Sequence, residues 1–362
     1  MTLQAMRDHF REQAGLCEEY GSPFTAELIE RMEADLEAGG PVAALVGSWS
    51  GPPRVDAVTM RLCGALHAAA LSGRDAALRS EYPEQRPGYR MDAVWAAARA
   101  FLERDRAWVA EFIRSPPQTN EVRRSIALLP GFLLFAAETD REIDTLEIGA
   151  SAGLNLEWDT FRYCTAAWEW GARDGVVIDT DWQGPLPRLD ARPRIRSRAA
   201  CDLSPLDVAD PAQRLRLRSY IWADQHERLA RFDAAADQAV ASGVRVERAD
   251  AAEWLVQRLG RRSEGVATLV YHSVFLQYPP REARRAIIAA IEAAGARATE
   301  DAPLGWLRFE PEAMFGGPRE SVRFVVDLVT WPGAVRRVLA ITDGHARAVH
   351  ALGPSGGAPA VS

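Results

Sequence analysis

The sequence contains no lysine: all 43 of its basic residues are arginine. That removes lysine Schiff-base chemistry and the phosphate-gripping lysine of a P-loop. Cysteine is scarce. Cys17, Cys63, Cys164 and Cys201 are scattered, with no C-x-x-C pair. A structural zinc site is therefore not expected, no metal ligands are assigned, and the thiols read as free. No run of about 18 apolar residues is present, so no membrane span is expected. Positive charge is not in excess. The net charge is −7 and the isoelectric point about 5.6, which argues against broad nonspecific nucleic-acid binding. Residues 1–13 carry charges throughout and lack the apolar core of a signal peptide. A cytoplasmic protein without membrane association is the resulting expectation.

What is present belongs to a globular chain of 362 residues, 48% of them hydrophobic. That length suits one large domain or two ordinary ones. Residues 1–140 read as helical, without alternating strand patterns or internal repeats. Ser22 and Thr25 precede a 3.6-period apolar run, and similar spacing recurs over 55–71, 91–112 and 120–138. Pro130 is expected to kink or interrupt the last of these. After residue 140 the pattern changes. Strand candidates at 145–148, 175–178, 194–200, 244–248, 267–271 and 304–309 alternate with helix candidates at 152–161, 212–242, 251–259 and 281–294. Such alternation predicts an α/β domain with a parallel sheet, here over 141–352. Runs at 322–330 and 337–341 predict an antiparallel hairpin at the sheet edge. The Gly-, Pro- and Ala-rich end, 353–362, is expected to be disordered.

The most informative stretch is 145–156, Thr-Leu-Glu-Ile-Gly-Ala-Ser-Ala-Gly-Leu-Asn-Leu. An apolar run carries Glu147 near its end and is followed by Gly149, Ser151 and Gly153 at alternate positions. The pattern fits a buried strand, a tight turn and a helix starting against the strand. Small residues there let a ligand approach the backbone and leave free N–H groups at the helix start. A nucleotide-like ligand suits that geometry. The same segment also matches G-x-S-x-G, the nucleophile elbow of α/β-hydrolases. In that reading Ser151 attacks, with His345 and Asp301 or Asp327 as nominal partners. A tight turn with no ligand is the third possibility.

Four segments carry a family resemblance: Asn120-Glu121-Val122-Arg123, the 146–156 stretch, Asp202-Leu203-Ser204-Pro205-Leu206-Asp207, and Ile221-Trp222-Ala223-Asp224-Gln225 with Arg228. Over roughly 5–350 the chain resembles the DUF2332 family of bacterial proteins. The resemblance implies a methyltransferase-like Rossmann domain after an N-terminal helical domain, but no established reaction. In the wider sense, residues 141–345 resemble S-adenosylmethionine (SAM) methyltransferases.

These resemblances imply that Glu147, Gly149, Ser151 and Gly153 form the first cofactor loop, with a carboxylate after the second strand on the ribose. Asp202 is the candidate, although it lies some fifty positions on, across an irregular 164–193 insertion. Asp179 is the alternative. Asp250 reads either as an adenine contact or as a helix N-cap. His272, at the end of the 267–271 strand, reads as a general base or as a buried, satisfied histidine. Trp222 and Gln225 share a stretch with His226 and Arg228, and read as a substrate-facing patch or a salt-bridged surface. Family resemblance points Asn120, Glu121 and Arg123 towards the pocket; capping is the plainer reading. The expected function is SAM-dependent methyl transfer to a small molecule, with a serine hydrolase or a catalytically silent nucleotide-binding module as alternatives.

Overall fold

A computed structural model describes residues 2–84, 88–318 and 320–353. Residues 354–362, most of the segment expected to be disordered, lie outside the described residues. The chain divides into two compact units. One comprises Met1–Thr119 and Val208–Asp233, the other Asn120–Asp207 and Ala234–Ser362.

The first unit is helical and discontinuous in sequence. Its helices include Leu3–Glu19, Pro23–Glu37, Val58–Ser72, Met91–Arg104 and Pro211–Ser219. Local sequence explains their ends. Ser22 accepts a hydrogen bond from the Thr25 N–H, and Pro23 occupies the first helical turn, where no N–H is needed. Phe10, Phe24, Met32, Leu62, Leu66 and Phe101 fill the core. The expected single helix over 212–242 is two, Pro211–Ser219 and His226–Ser242. Between them the Asp224 carboxylate accepts from Ser22 Oγ and from the Phe24 N–H at 3.1 Å, fastening residues 220–225 to the start of a helix 200 positions earlier.

The second unit is an α/β structure built on a nine-stranded sheet. Its strands are β1 (Glu142–Ile148), β5 (Asp181–Gln183), β6 (Arg194–Asp202), β7 (Glu247–Arg248), β8 (Val266–Ser273), β9 (Leu304–Pro311), β10 (Phe324–Trp331), β11 (Val335–Thr342) and β12 (Ala348–Ala351). Three short strands, β2 (Arg162–Cys164), β3 (Glu169–Gly171) and β4 (Val177–Asp179), form a separate small sheet. The order in the large sheet is β5-β12-β11-β10-β9-β8-β1-β6-β7. From β7 to β9 every pairing is parallel. The strand order therefore reverses at β1, with later strands running outward on both sides.

Both faces of the sheet are covered. Leu146, Ile148, Val270 and Trp306 pack with residues of Ala251–Leu259 and Arg281–Gly295. On the opposite face lies Arg124–Thr139, which contains Pro130 and sits so close that a Cβ on Gly131 would stand 2.3 Å from Leu307. Burial on both faces accounts for the largely apolar run of β8.

Four further expectations change. The hairpin of β10 and β11 is interior, because β12 and β5 extend the sheet beyond it. The strand expected at 175–178 belongs to the small sheet, and the one at 244–248 shrinks to two residues. Val244 and Val246 instead crowd Gly153. The helix expected at 152–161 is a 3₁₀ helix, Leu154–Thr160.

Candidate functional site

β1 ends at Ile148, and the chain turns through Gly149, Ser151 and Gly153, all at positive φ (66°, 54° and 74°). The turn lies against the carboxyl end of β6. Asp202 Oδ2 accepts the Ser151 N–H at 2.9 Å, and the Cys201 carbonyl accepts that of Ala150 at 3.2 Å. Asn120 Oδ1 accepts two more, from Ala152 at 3.2 Å and Leu154 at 2.9 Å. Gly153 donates to the Ala150 carbonyl at 2.8 Å. Every N–H from Ala150 to Leu154 is thus taken by the protein, which overturns the expectation of free donors at this turn. The glycines are also spoken for. A Cβ on Gly149 would stand 2.1 Å from the Phe275 ring, and one on Gly153 2.8 Å from both Val244 and Val246.

Beneath the turn is a buried polar cluster. Glu147 is only 3% exposed. Burial pushes its carboxyl up to about 8; the Tyr271 hydroxyl pulls the other way, and the charge of Asp202 adds to the rise. Tyr271 Oη lies 3.3 Å from both Glu147 Oε2 and the Asn155 carbonyl. Asn155 donates to the Glu121 carbonyl at 3.4 Å, while its Oδ1 and Ser151 Oγ are buried without a hydrogen-bond partner. Glu121 is itself buried and accepts the Arg123 N–H at 3.1 Å. Arg123 reaches away to Asp179, at 3.3 Å.

Asn120, Glu121, Glu147, Ser151 and Asp202 therefore gather around one turn. Asp202 combines two roles, because its Oδ1 also accepts the Ser204 N–H at 2.8 Å in a local turn. Asp250 accepts the N–H groups of Ala252 and Glu253 at 2.9 and 3.2 Å, the geometry of an N-cap. Trp222 and Gln225 belong to the helical unit. Trp222 Nε1 points at Met60 Sδ, and Gln225 donates to the Tyr20 carbonyl while accepting from Arg228. Both fasten helices there.

His272 is corrected from base to structural residue. It has no exposed surface. The Trp306 indole N–H donates to Nε2 at 3.1 Å, so Nδ1 carries the proton and donates to Glu310 Oε1 at 2.7 Å. Neither nitrogen is left to take a proton from a substrate. Glu310 Oε1 also accepts the N–H groups of Phe275 and Leu276, at 2.8 and 3.0 Å. The hydrolase partners do not assemble either. Ser151 Oγ touches no imidazole, Asp327 is paired with Arg308 and Arg336, and Asp301 with Arg141.

The sequence reading missed Tyr271, Asn155, Phe275 and Glu310. Strand alternation was the available signal for the first. Tyr271 stands directly across from Glu147, and its neighbour His272 points to the other face.

A family model described as an uncharacterized protein conserved in bacteria matches residues 7–350, nearly the whole chain. The chain belongs to the DUF2332 family. No curated protein and no solved structure matches it. In this DUF2332 protein no helix among the described residues is long and apolar enough to cross a membrane. Nor do three or more His, Cys, Asp or Glu side chains among those residues group to hold a metal ion.

Proposed function

We propose that the second unit is a Rossmann-like domain that binds the nucleoside cofactor SAM and transfers its methyl group to a small molecule. Numbered by position in the sheet, β7-β6-β1-β8-β9 follow the 3-2-1-4-5 order of a doubly wound fold. Ligands of such sheets bind beyond the carboxyl ends of the strands, where the order reverses. One observation carries the reading. At that reversal Glu147 and Asp202, on adjacent parallel strands, meet a single small-residue turn.

Asp202 fits the ribose. Each oxygen accepts one N–H, which leaves lone pairs for sugar hydroxyls. Glu147 fits the charged end of the cofactor. A cation beside it would offset the cost of ionising a buried carboxyl. With His272 enclosed, the reading assigns no base, and rate enhancement comes from holding the acceptor in line with the methyl group. Because the turn N–H groups are already bonded, the cofactor is held through side chains rather than backbone donors.

Isothermal titration of the full chain with S-adenosylhomocysteine tests the proposal. One binding site is expected, and Asp202→Ala should weaken it by about tenfold or more, the scale of a lost charged hydrogen bond. No heat and no thermal shift at millimolar ligand would refute it.

A further inference from the structure

The loop that follows β8 is built against its own comfort. Val274, a β-branched residue, sits at φ 54°, a conformation such residues rarely adopt. Its N–H donates to the Phe309 carbonyl at 2.7 Å. The next two N–H groups converge on Glu310 Oε1, as does His272 Nδ1. Glu310 Oε2 is buried with no hydrogen-bond partner. This clamp aims Phe275 at Gly149, where its ring fills the space that a Cβ, or a ligand approaching the backbone, would need. Phe275 itself is half-buried, and Tyr278, three residues on, is 72% exposed.

We propose that Phe275 is a plug over the Gly149 turn, carried on a loop hinged at Val274 and latched by Glu310 and His272. The plug closes the site in the free protein, and a ligand reaches the turn only when the loop swings out. The identity of that ligand rests on the cofactor reading above; the loop's motion does not. Backbone strain at Val274 opposes the latch, so the closed loop is held by the Phe275 and Leu276 N–H groups on Glu310 Oε1, an oxygen that His272 Nδ1 fixes in place, and by the Val274 N–H on the Phe309 carbonyl. His272 and Glu310 are accordingly positioning residues for the loop.

Two variants and one exchange measurement test this on the full chain. Phe275→Ala removes the plug and Glu310→Gln weakens the latch. Both are expected to bind S-adenosylhomocysteine about tenfold more tightly than the wild type, the gain when a competent state populated at about one-tenth becomes dominant. A residue with a merely structural role would weaken binding instead. In the wild type, the Phe275 and Leu276 amides are expected to exchange with deuterium by local opening, faster than the Leu269 and Val270 amides in β8, and faster still in Glu310→Gln. Binding by the wild type with unchanged or weaker binding in Phe275→Ala would overturn the plug and leave the cofactor reading standing. If no form binds, the cofactor reading fails, and exchange alone decides. Phe275 and Leu276 amides that open only with global unfolding would overturn the plug. Should Glu310→Gln not fold, Phe275→Ala, whose side chain is partly exposed, carries the comparison.

Discussion

Replacing Glu147 by glutamine should change how stability depends on pH. The buried carboxyl has its folded-state value raised to about 8 from the ordinary 4.5, chiefly by burial. A raised carboxyl favours the folded state fully only below the unfolded value, and the advantage is lost as pH climbs towards the folded value. Integrating between pH 5 and pH 9 gives a loss of about 4 kcal/mol for this one group, at 1.36 kcal/mol per pH unit. Glutamine has the same shape, still accepts from Tyr271, and does not titrate. Urea denaturation of both proteins at pH 5, 7 and 9 reads the difference. Near pH 5 the two should agree within about 1 kcal/mol. At pH 9 the variant should be the more stable by several kcal/mol, or about 5–9 °C in midpoint for a unit or chain of this size. Parallel curves, or a wild type that gains on the variant as pH rises, would refute the assignment of a neutral buried acid. Tyr271 would then be stabilising a carboxylate, with the charge already in place before any ligand arrives.

Gly149→Ala is expected to cost roughly 2 kcal/mol or more, since the new methyl must displace Phe275 and sits at positive φ; thermal unfolding measures it, and a neutral result would mean the loop yields freely. Ser151→Gly should be tolerated or mildly stabilising, because the hydroxyl is buried without a partner and φ is 54°; a fluorophosphonate should not label the wild type, and stoichiometric labelling of Ser151 would restore the hydrolase reading. Burial pulls His67 down to about 4 from 6.5, so its contribution is complete above pH 6.5 and fades as pH falls towards 4. Between pH 7 and pH 4.5 the wild type should lose about 2 kcal/mol relative to His67→Leu, by chemical denaturation, and equal slopes would contradict the burial argument.

Much of the sheet was readable because its signals are local. β8, β9 and the end of β1 are largely apolar runs of strand length, kept so by burial on both faces, whereas β6 is arginine-rich and buried only at Ala200 and Cys201. The convergence of Glu147 and Asp202 followed from strand order, even across the 164–193 insertion, because β2, β3 and β4 form their own sheet and β5 joins the large sheet only at its far edge, beside β12. The chemistry of the turn was less accessible. Two of its N–H groups are filled by Asn120, some thirty residues earlier, a contact that no periodicity announces. His272 stood out by residue type, yet alternation put Tyr271 on the face with Glu147. The residues 220–225 broke an apparently continuous helix for a tertiary reason, since Asp224 serves a cap elsewhere. Helix propensity carries no trace of such a partner.

The helical unit draws on two separate pieces of the chain, Met1–Thr119 and Val208–Asp233, and that has a consequence during synthesis. When the first piece leaves the ribosome, Ser22 lacks Asp224, and the space against Gly64 that the Tyr220 ring fills in the finished protein is empty. About ninety residues must be made before Val208 arrives, roughly 5 to 20 seconds at ordinary elongation rates. For that interval the early helices form an incomplete core with an exposed apolar seam. A fragment ending near residue 140 would carry the same wound permanently, so the helical half should aggregate when produced alone. Supplying a peptide covering 208–233 in trans is the natural way to close it.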